Sequence, residues 1–164
     1  VTRGRIESPT ITTWITRANR STPRCARCGR WSPIGRAGGR LRAAFDFHCP
    51  WIRGKHNEDF YFVGSKDPGN WERIQEFSRL LEAECSGGLP FESKHNLPYG
   101  QAWNTYEGPL VSFGRWAGTL PGLWLSASSE TPYSHCGGVE TLPERARTLG
   151  RDFARALRKF LENR

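Results

Sequence analysis

Hydrophobic and polar positions divide this 164-residue chain into two regimes that meet near residue 40. Through residue 40 the apolar residues are scattered among Arg, Ser, Thr, Pro and Gly with neither the period of a strand nor that of a helix, and no element is predicted there. From Leu41 the texture changes. Leu41-Arg-Ala-Ala-Phe-Asp-Phe-His48-Cys49 is a short apolar run rich in aromatics, closed by Pro50, as expected of a buried strand. Asp59-Phe-Tyr-Phe-Val-Gly64 predicts a second strand ending on glycine. Asp67-Pro68 supplies an N-cap followed by proline at the first helical position, and Trp71, Ile74, Phe77, Leu80 and Leu81 then recur at helical spacing. That helix is predicted to run to about Cys85 and to stop at Gly87-Gly88. Residues 86–118 read as loops. A third strand is predicted from Leu120 to Ser128, ending at Ser129-Glu130. Thr141-Leu-Pro-Glu144 reads as a capping box opening a helix of about five turns. Its apolar face is Ala146, Leu149, Phe153, Leu157, Phe160 and Leu161, and its other face carries Arg147, Arg151, Arg155 and Arg158. The order strand, strand, helix, loops, strand, helix predicts an α/β fold: a mixed sheet with flanking helices.

Charge sharpens the division. The net charge of +8 lies entirely in residues 1–40, which hold nine Arg and one acid, Glu7, whereas residues 41–164 balance at zero. Basic character therefore belongs to an N-terminal segment and not to the domain, so nucleic acid is not the expected partner. The domain organisation read from this is a basic segment, 1–40, expected to be disordered or unrelated in origin, followed by the folded part, 41–164. No apolar run reaches the ~20 residues of a membrane span, and no signal-peptide-like stretch is present, so a cytoplasmic, membrane-free location is expected. Five cysteines at irregular spacing, one pair of them Cys25-Ala-Arg-Cys28, lack the second ligand pair of a zinc ribbon.

Two side chains carry the candidate chemistry. His48 closes the first strand and Glu130 follows the third. Ligand crevices of open α/β sheets lie at the carboxyl ends of strands, so these two belong to one rim if the strands are parallel. An imidazole and a carboxylate at one rim are the minimum for a metal-bound water and its base.

The segments Ala44-Phe-Asp-Phe-His-Cys-Pro-Trp-Ile-Arg-Gly54, Tyr61-Phe-Val-Gly64, Leu97-Pro-Tyr-Gly-Gln-Ala-Trp-Asn104, Ser112-Phe-Gly-Arg-Trp-Ala117 and Ser129-Glu-Thr-Pro-Tyr133, with Gly137-Gly138 and Ala146-Arg-Thr-Leu-Gly-Arg-Asp-Phe-Ala154, resemble the zinc carboxypeptidases (M14 metallopeptidases) in their bacterial branch. The resemblance runs from about Leu41 to the C-terminus and matches the C-terminal half of a catalytic domain. It implies one zinc ion as cofactor and a peptide or amide substrate with a free C-terminal carboxylate. It makes His48 a zinc ligand and Glu130 the general base and acid. Tyr99 becomes the substrate-capping tyrosine, with Tyr106 competing for that role, and Asn19-Arg20 the substrate-binding pair, with Arg20 on the carboxylate. Arg115 reads either as a pocket cation or as part of a surface turn.

The family's His-x-x-Glu ligand pair does not occur in this chain; His56-Asn-Glu58-Asp59 is the nearest imitation, and it follows His48. One zinc ligand of three is thus carried over, and zinc binding is expected to be weak or absent. The expected function is that of a zinc-dependent metallocarboxypeptidase-like hydrolase; the alternative is a catalytically inactive peptidase-like binding module. The abrupt start of family-like sequence near Gly38–Leu41 leads us to expect a truncated or frame-shifted gene product, and a chain beginning midway through a sheet is expected to present unpaired strand edges.

Overall fold

A computed structural model of the chain describes residues 41–52, 56–107 and 112–163. The strand read at residues 41–49 forms as β1, Ala43–His48, and the run at 59–64 forms as a shorter β2, Tyr61–Val63. Helix α1, Pro68–Glu84, begins where Asp67 predicts, with the Asp67 carboxylate accepting the Gly69 N–H at 3.0 Å. It stops at Glu84, before the Gly87-Gly88 pair.

Elsewhere the boundaries move. Strand β3 is Leu125–Glu130, so the predicted start at Leu120 is five residues early. Residues 120–123 instead make a turn, with Leu123 N–H donating to the Leu120 carbonyl and Gly122 at φ 78°. The loop-rich stretch contains a 3₁₀ turn, Ser93–His95, and a short helix α2, Phe113–Ala117, capped by the Ser112 hydroxyl. A small hairpin of β4, His135–Cys136, and β5, Val139–Glu140, also went unread. The last helix, α3, is Pro143–Glu162. Its N-cap is Leu142 without a side-chain bond, because Pro143 takes the first helical position and leaves Thr141 one residue too far out. The expected capping box does not form, and the Thr141 hydroxyl is buried with no partner among the described residues.

The three longer strands form one mixed sheet in the order β1-β3-β2. β1 runs parallel to β3, pairing Ala43 with Leu125 through His48 with Glu130, and β2 runs antiparallel to β3, pairing Tyr61 with Glu130. Among the described residues β1 pairs with β3 alone, and Phe47 on it is 53% exposed. β3 outruns the short β2 at its start, and there Asn70 of α1 replaces a strand. Its amide donates to the Ser126 carbonyl at 2.8 Å and accepts the Ser126 N–H at 3.1 Å. The fold is therefore α/β with a small mixed sheet and flanking helices.

Strand alternation sends Phe45, Phe62, Leu125 and Ala127 to one side. There they meet α1 and α3 in an aromatic core: Phe77 lies 5.0 Å from Phe45, 4.9 Å from Phe153 and 5.9 Å from Phe160, centroid to centroid. α3 buries Leu149, Phe153 and Phe160, as its spacing predicts, and also Ala156 and Asp152, which were not on the predicted face; Leu157 and Leu161 are partly buried, and Ala146 is exposed. Asp152 accepts the Ser86 N–H at 3.0 Å and the Ser86 hydroxyl at 2.7 Å and pairs with Arg155. Arg155 and Lys159 in turn hold Glu84, so this polar cluster fastens the end of α1 to α3. Arg155 is thus part of an inter-helix contact and not only of a solvent face.

Candidate active site

The opposite side of the same sheet is polar. Asp46 and His48 of β1, Ser126, Ser128 and Glu130 of β3, and Tyr61 of β2 share it by the ladder register and the period of two. His48 and Glu130 are cross-strand neighbours in adjacent parallel strands, at the carboxyl ends of both. Directly opposed residues place their Cβ atoms about 5 Å apart, so imidazole and carboxylate face one small volume. The rim read from sequence is therefore a real juxtaposition, and it forms because residues 41–49 and 125–130 pair in parallel with no slip.

Asp46 orients the imidazole. Its carboxylate lies 3.1 Å from His48 Nδ1 and is itself buried. With Nδ1 taken, Nε2 is the nitrogen left for a ligand or a proton. The Asp46 contact holds the His48 pKa above its ordinary value against the opposing effect of burial, with the charge of Glu130 adding a smaller push in the same direction. Glu130 shows the converse behaviour. Burial raises its carboxyl to about 7, His48 opposes the shift, and Asp46 adds to it. Its Oε2 is buried with no hydrogen-bond partner among the described residues. A carboxyl divided between acid and base forms near neutrality, with one oxygen unengaged, has the properties of a proton-transfer group.

Tyr61 closes the third side. Burial pushes its phenol up to about 12, and its buried hydroxyl, which the Trp103 indole approaches, has no well-formed hydrogen bond among the described residues. Cys49 follows His48 directly and is exposed. Partial burial and the nearby Glu130 carboxylate both raise its thiol.

Along the same face, toward the start of β3, a cavity of about 310 Å³ opens between the sheet, the first turn of α1 and α2. Ser128 stands in its wall two residues before Glu130, so the cavity opens on the same face of the sheet as the pair, although neither His48 nor Glu130 lines it. Gly114 of α2 packs closely against this wall: a Cβ there would come within 3.3 Å of the Ser128 hydroxyl, which would have to shift slightly. Tyr99 lines the cavity and donates its hydroxyl to Glu107 at 3.0 Å. Its loop is held close to the sheet at Gly64, where a Cβ would lie 2.5 Å from the Tyr99 nitrogen. Arg115 also lines the cavity, on α2 rather than on a surface turn, and donates to the Tyr106 carbonyl at 2.7 Å. Tyr106 is half exposed, its backbone engaged by Arg115.

Of the residues singled out in the sequence, His48 and Glu130 come together, and Tyr99 stands along the adjoining cavity. Arg20, with Asn19, Cys25, Cys28 and the whole segment 1–40, lies outside the described residues. Asp46 and Lys66 were missed. For Asp46 the signal was present: in Asp46-Phe-His48 the period of two places carboxylate and imidazole on one face.

The class that fold and site define is a small mixed-sheet α/β protein with a carboxylate–imidazole pair at the carboxyl ends of parallel strands and a polar cavity beside it. No family model, curated protein or solved structure matches the chain. Among the described residues no three His, Cys, Asp or Glu side chains gather as a metal ion requires, and no helix is long and apolar enough to cross a membrane.

Proposed function

We propose that residues 41–164 are the C-terminal part of a zinc-carboxypeptidase-like catalytic domain that hydrolyses a peptide or amide bond beside a free carboxylate. Glu130 is its general base and acid, and His48 is one metal-binding imidazole. The observation that carries this reading is the register of His48 opposite Glu130 at the end of a parallel pair, with the Glu130 carboxyl raised to about 7 and one of its oxygens unengaged.

The described residues do not by themselves fit a zinc ion, because one imidazole is far short of three protein ligands. A complete zinc site takes its other ligands from outside them. What the chain's own groups contribute is narrower. Asp46 fixes the imidazole through Nδ1. Glu130, as carboxylate, takes a proton from a water attacking the carbonyl carbon and, as carboxylic acid, returns it to the amine nitrogen when the carbon–nitrogen bond breaks.

Hydrolysis of an N-acyl amino acid with added zinc tests this reading, together with the zinc-induced rise in melting temperature. Hydrolysis is expected in the wild type together with a small zinc-induced rise, since one imidazole alone holds zinc weakly. Glu130→Gln is expected to lose hydrolysis by about 10²-fold or more while keeping the zinc-induced rise, and His48→Ala to lose both. A zinc-induced rise that survives His48→Ala unchanged, or hydrolysis that survives Glu130→Gln, overturns the proposal.

The single-ligand count favours a second reading, an inactive module that keeps the crevice and binds the same ligands. Its signature is ligand binding in the cavity with neither zinc-induced stabilisation nor turnover.

A further inference from the structure

At one corner of the cavity the chain already holds a carboxylate. Glu107 receives the Lys66 ammonium at 2.8 Å and the Tyr99 hydroxyl at 3.0 Å, both on the same oxygen, Oε1. The Lys66 ammonium also lies 5.6 Å from the centre of the Tyr99 ring. Arg115 is near enough for its positive charge to act on both Glu107 and Lys66. Lys66, Tyr99 and Arg115 all line the cavity. They come from three separate segments: the loop before α1, the loop after the 3₁₀ turn, and α2. The corner is thus made by tertiary structure and not by one stretch of sequence.

The Glu107 contact is easily exchanged. Lys66 and Glu107 are 60% and 67% exposed, and an ion pair so open to water is weak. A ligand carboxylate entering from the cavity would meet the same ammonium and hydroxyl. It would add the polar contacts of the cavity wall, of which Glu107 is not part.

We propose that Lys66, Tyr99 and Arg115 form a carboxylate-recognition corner of the cavity, and that Glu107 is an internal stand-in which a ligand carboxylate displaces. The ligand class is a short peptide or acyl amino acid bearing a carboxylate, either at its C-terminus or on its last side chain. This deepens the hydrolase reading and rests on it for the position of the ligand beside Glu130. It differs from the sequence expectation in taking the carboxylate on Lys66 and Arg115, in place of Arg20.

Calorimetric titration of the full chain with three dipeptides tests it. Gly-Leu offers a terminal carboxylate, Gly-Glu-amide only a side-chain carboxylate, and Gly-Leu-amide neither. One of the two carboxylate probes is expected to bind about tenfold or more tightly than Gly-Leu-amide, and which one it is identifies the source. Glu107→Ala is expected to tighten that probe about threefold by removing the competitor. Lys66→Ala and Arg115→Gln are each expected to weaken it about tenfold and to leave Gly-Leu-amide unchanged. Lys66 is exposed and outside every helix and strand, so its variant keeps the test intact if the Arg115 variant disturbs α2. Equal binding of all three probes, no binding of any, or a Glu107→Ala variant that binds no tighter overturns the proposal. Failure of the hydrolysis and zinc tests with carboxylate discrimination retained overturns only the enzymatic reading.

Discussion

The two sides of the central sheet are made by alternate residues of the same strands, and they follow opposite physical rules. In β3, Leu125 and Ala127 turn toward α1 and α3, while on the opposite face Ser126 and Ser128 line the cavity beside α2 and Glu130 stands opposite His48. In β1, Phe45 stands beside Asp46. On the helix side, aromatic rings fill the space and the packing serves stability. On the other side stand a buried carboxylate oxygen without a partner, a buried phenol and a cavity, each costing free energy that the first side offsets. A segment selected for stability alone would not place Glu130 where burial disfavours its charge. The difference teaches where function is to be sought: on the side whose local arrangement is unfavourable.

If that division is right, the largest losses of stability come from the helix side. Phe77→Ala removes a ring in contact with Phe45, Phe62, Phe153 and Phe160, and is expected to cost about 4 kcal/mol, read from urea unfolding. A loss below about 1 kcal/mol would mean that the aromatic cluster is loosely packed and that the two sides do not differ as described.

A smaller effect is expected from the polar fastening between α1 and α3. Asp152→Ala leaves the Ser86 N–H and hydroxyl without their acceptor and removes one of the partners of Arg155. The expected cost is about 3 kcal/mol, since a buried charge is removed while its partners remain. This sharpens the comparison. Asp152 is a fully engaged buried carboxylate and Glu130 is not, so one substitution destabilises where the other does not.

These contrasts also account for what the sequence alone makes legible. β1, α1 and the body of α3 were readable because their apolar positions keep one period and their ends carry a proline or a capping side chain. The start of β3 was misplaced because Leu120 and Leu123 are apolar but belong to a turn that Gly122 permits at φ 78°. α2 was missed because five residues are too few to show a period, and β4 and β5 because two-residue strands show none. The pair His48 and Glu130 was legible as two strand ends, but only the parallel register makes them neighbours. Of the proposed carboxylate corner, Tyr99 and Arg115 were singled out one by one, but not their meeting with Lys66 and Glu107. Lys66, Tyr99, Glu107 and Arg115 are separated by loops, and no spacing rule connects residues that meet through tertiary packing.

The gentlest intervention bears most directly on the comparison. Glu130 ionises at about 4.5 when unfolded and at about 7 in the fold, so the folded state holds the proton more tightly. Its contribution is fully favourable below the unfolded value and is lost as pH rises through the folded one. His48, raised above 6.5 chiefly by Asp46, acts in the same direction: its contribution is present below 6.5 and fades as pH rises past its folded value. Together they make the protein lose stability from about pH 4.5 to somewhat above pH 7. Glu130→Gln removes the carboxylate's part of that decline and keeps the side chain's size, so the melting temperature of the variant is expected to fall less steeply over this window. At about pH 8 the variant is expected to be the more stable protein, because the wild type then carries an ionised carboxylate with a buried oxygen. The remaining slope, which belongs to the Asp46–His48 pair, is expected to flatten in His48→Gln. Melting curves recorded from about pH 5 to pH 8 decide the matter. Parallel profiles for wild type and Glu130→Gln would show that Glu130 is solvated like any surface carboxylate, and the contrast between the two sides of the sheet would then lose its electrostatic half.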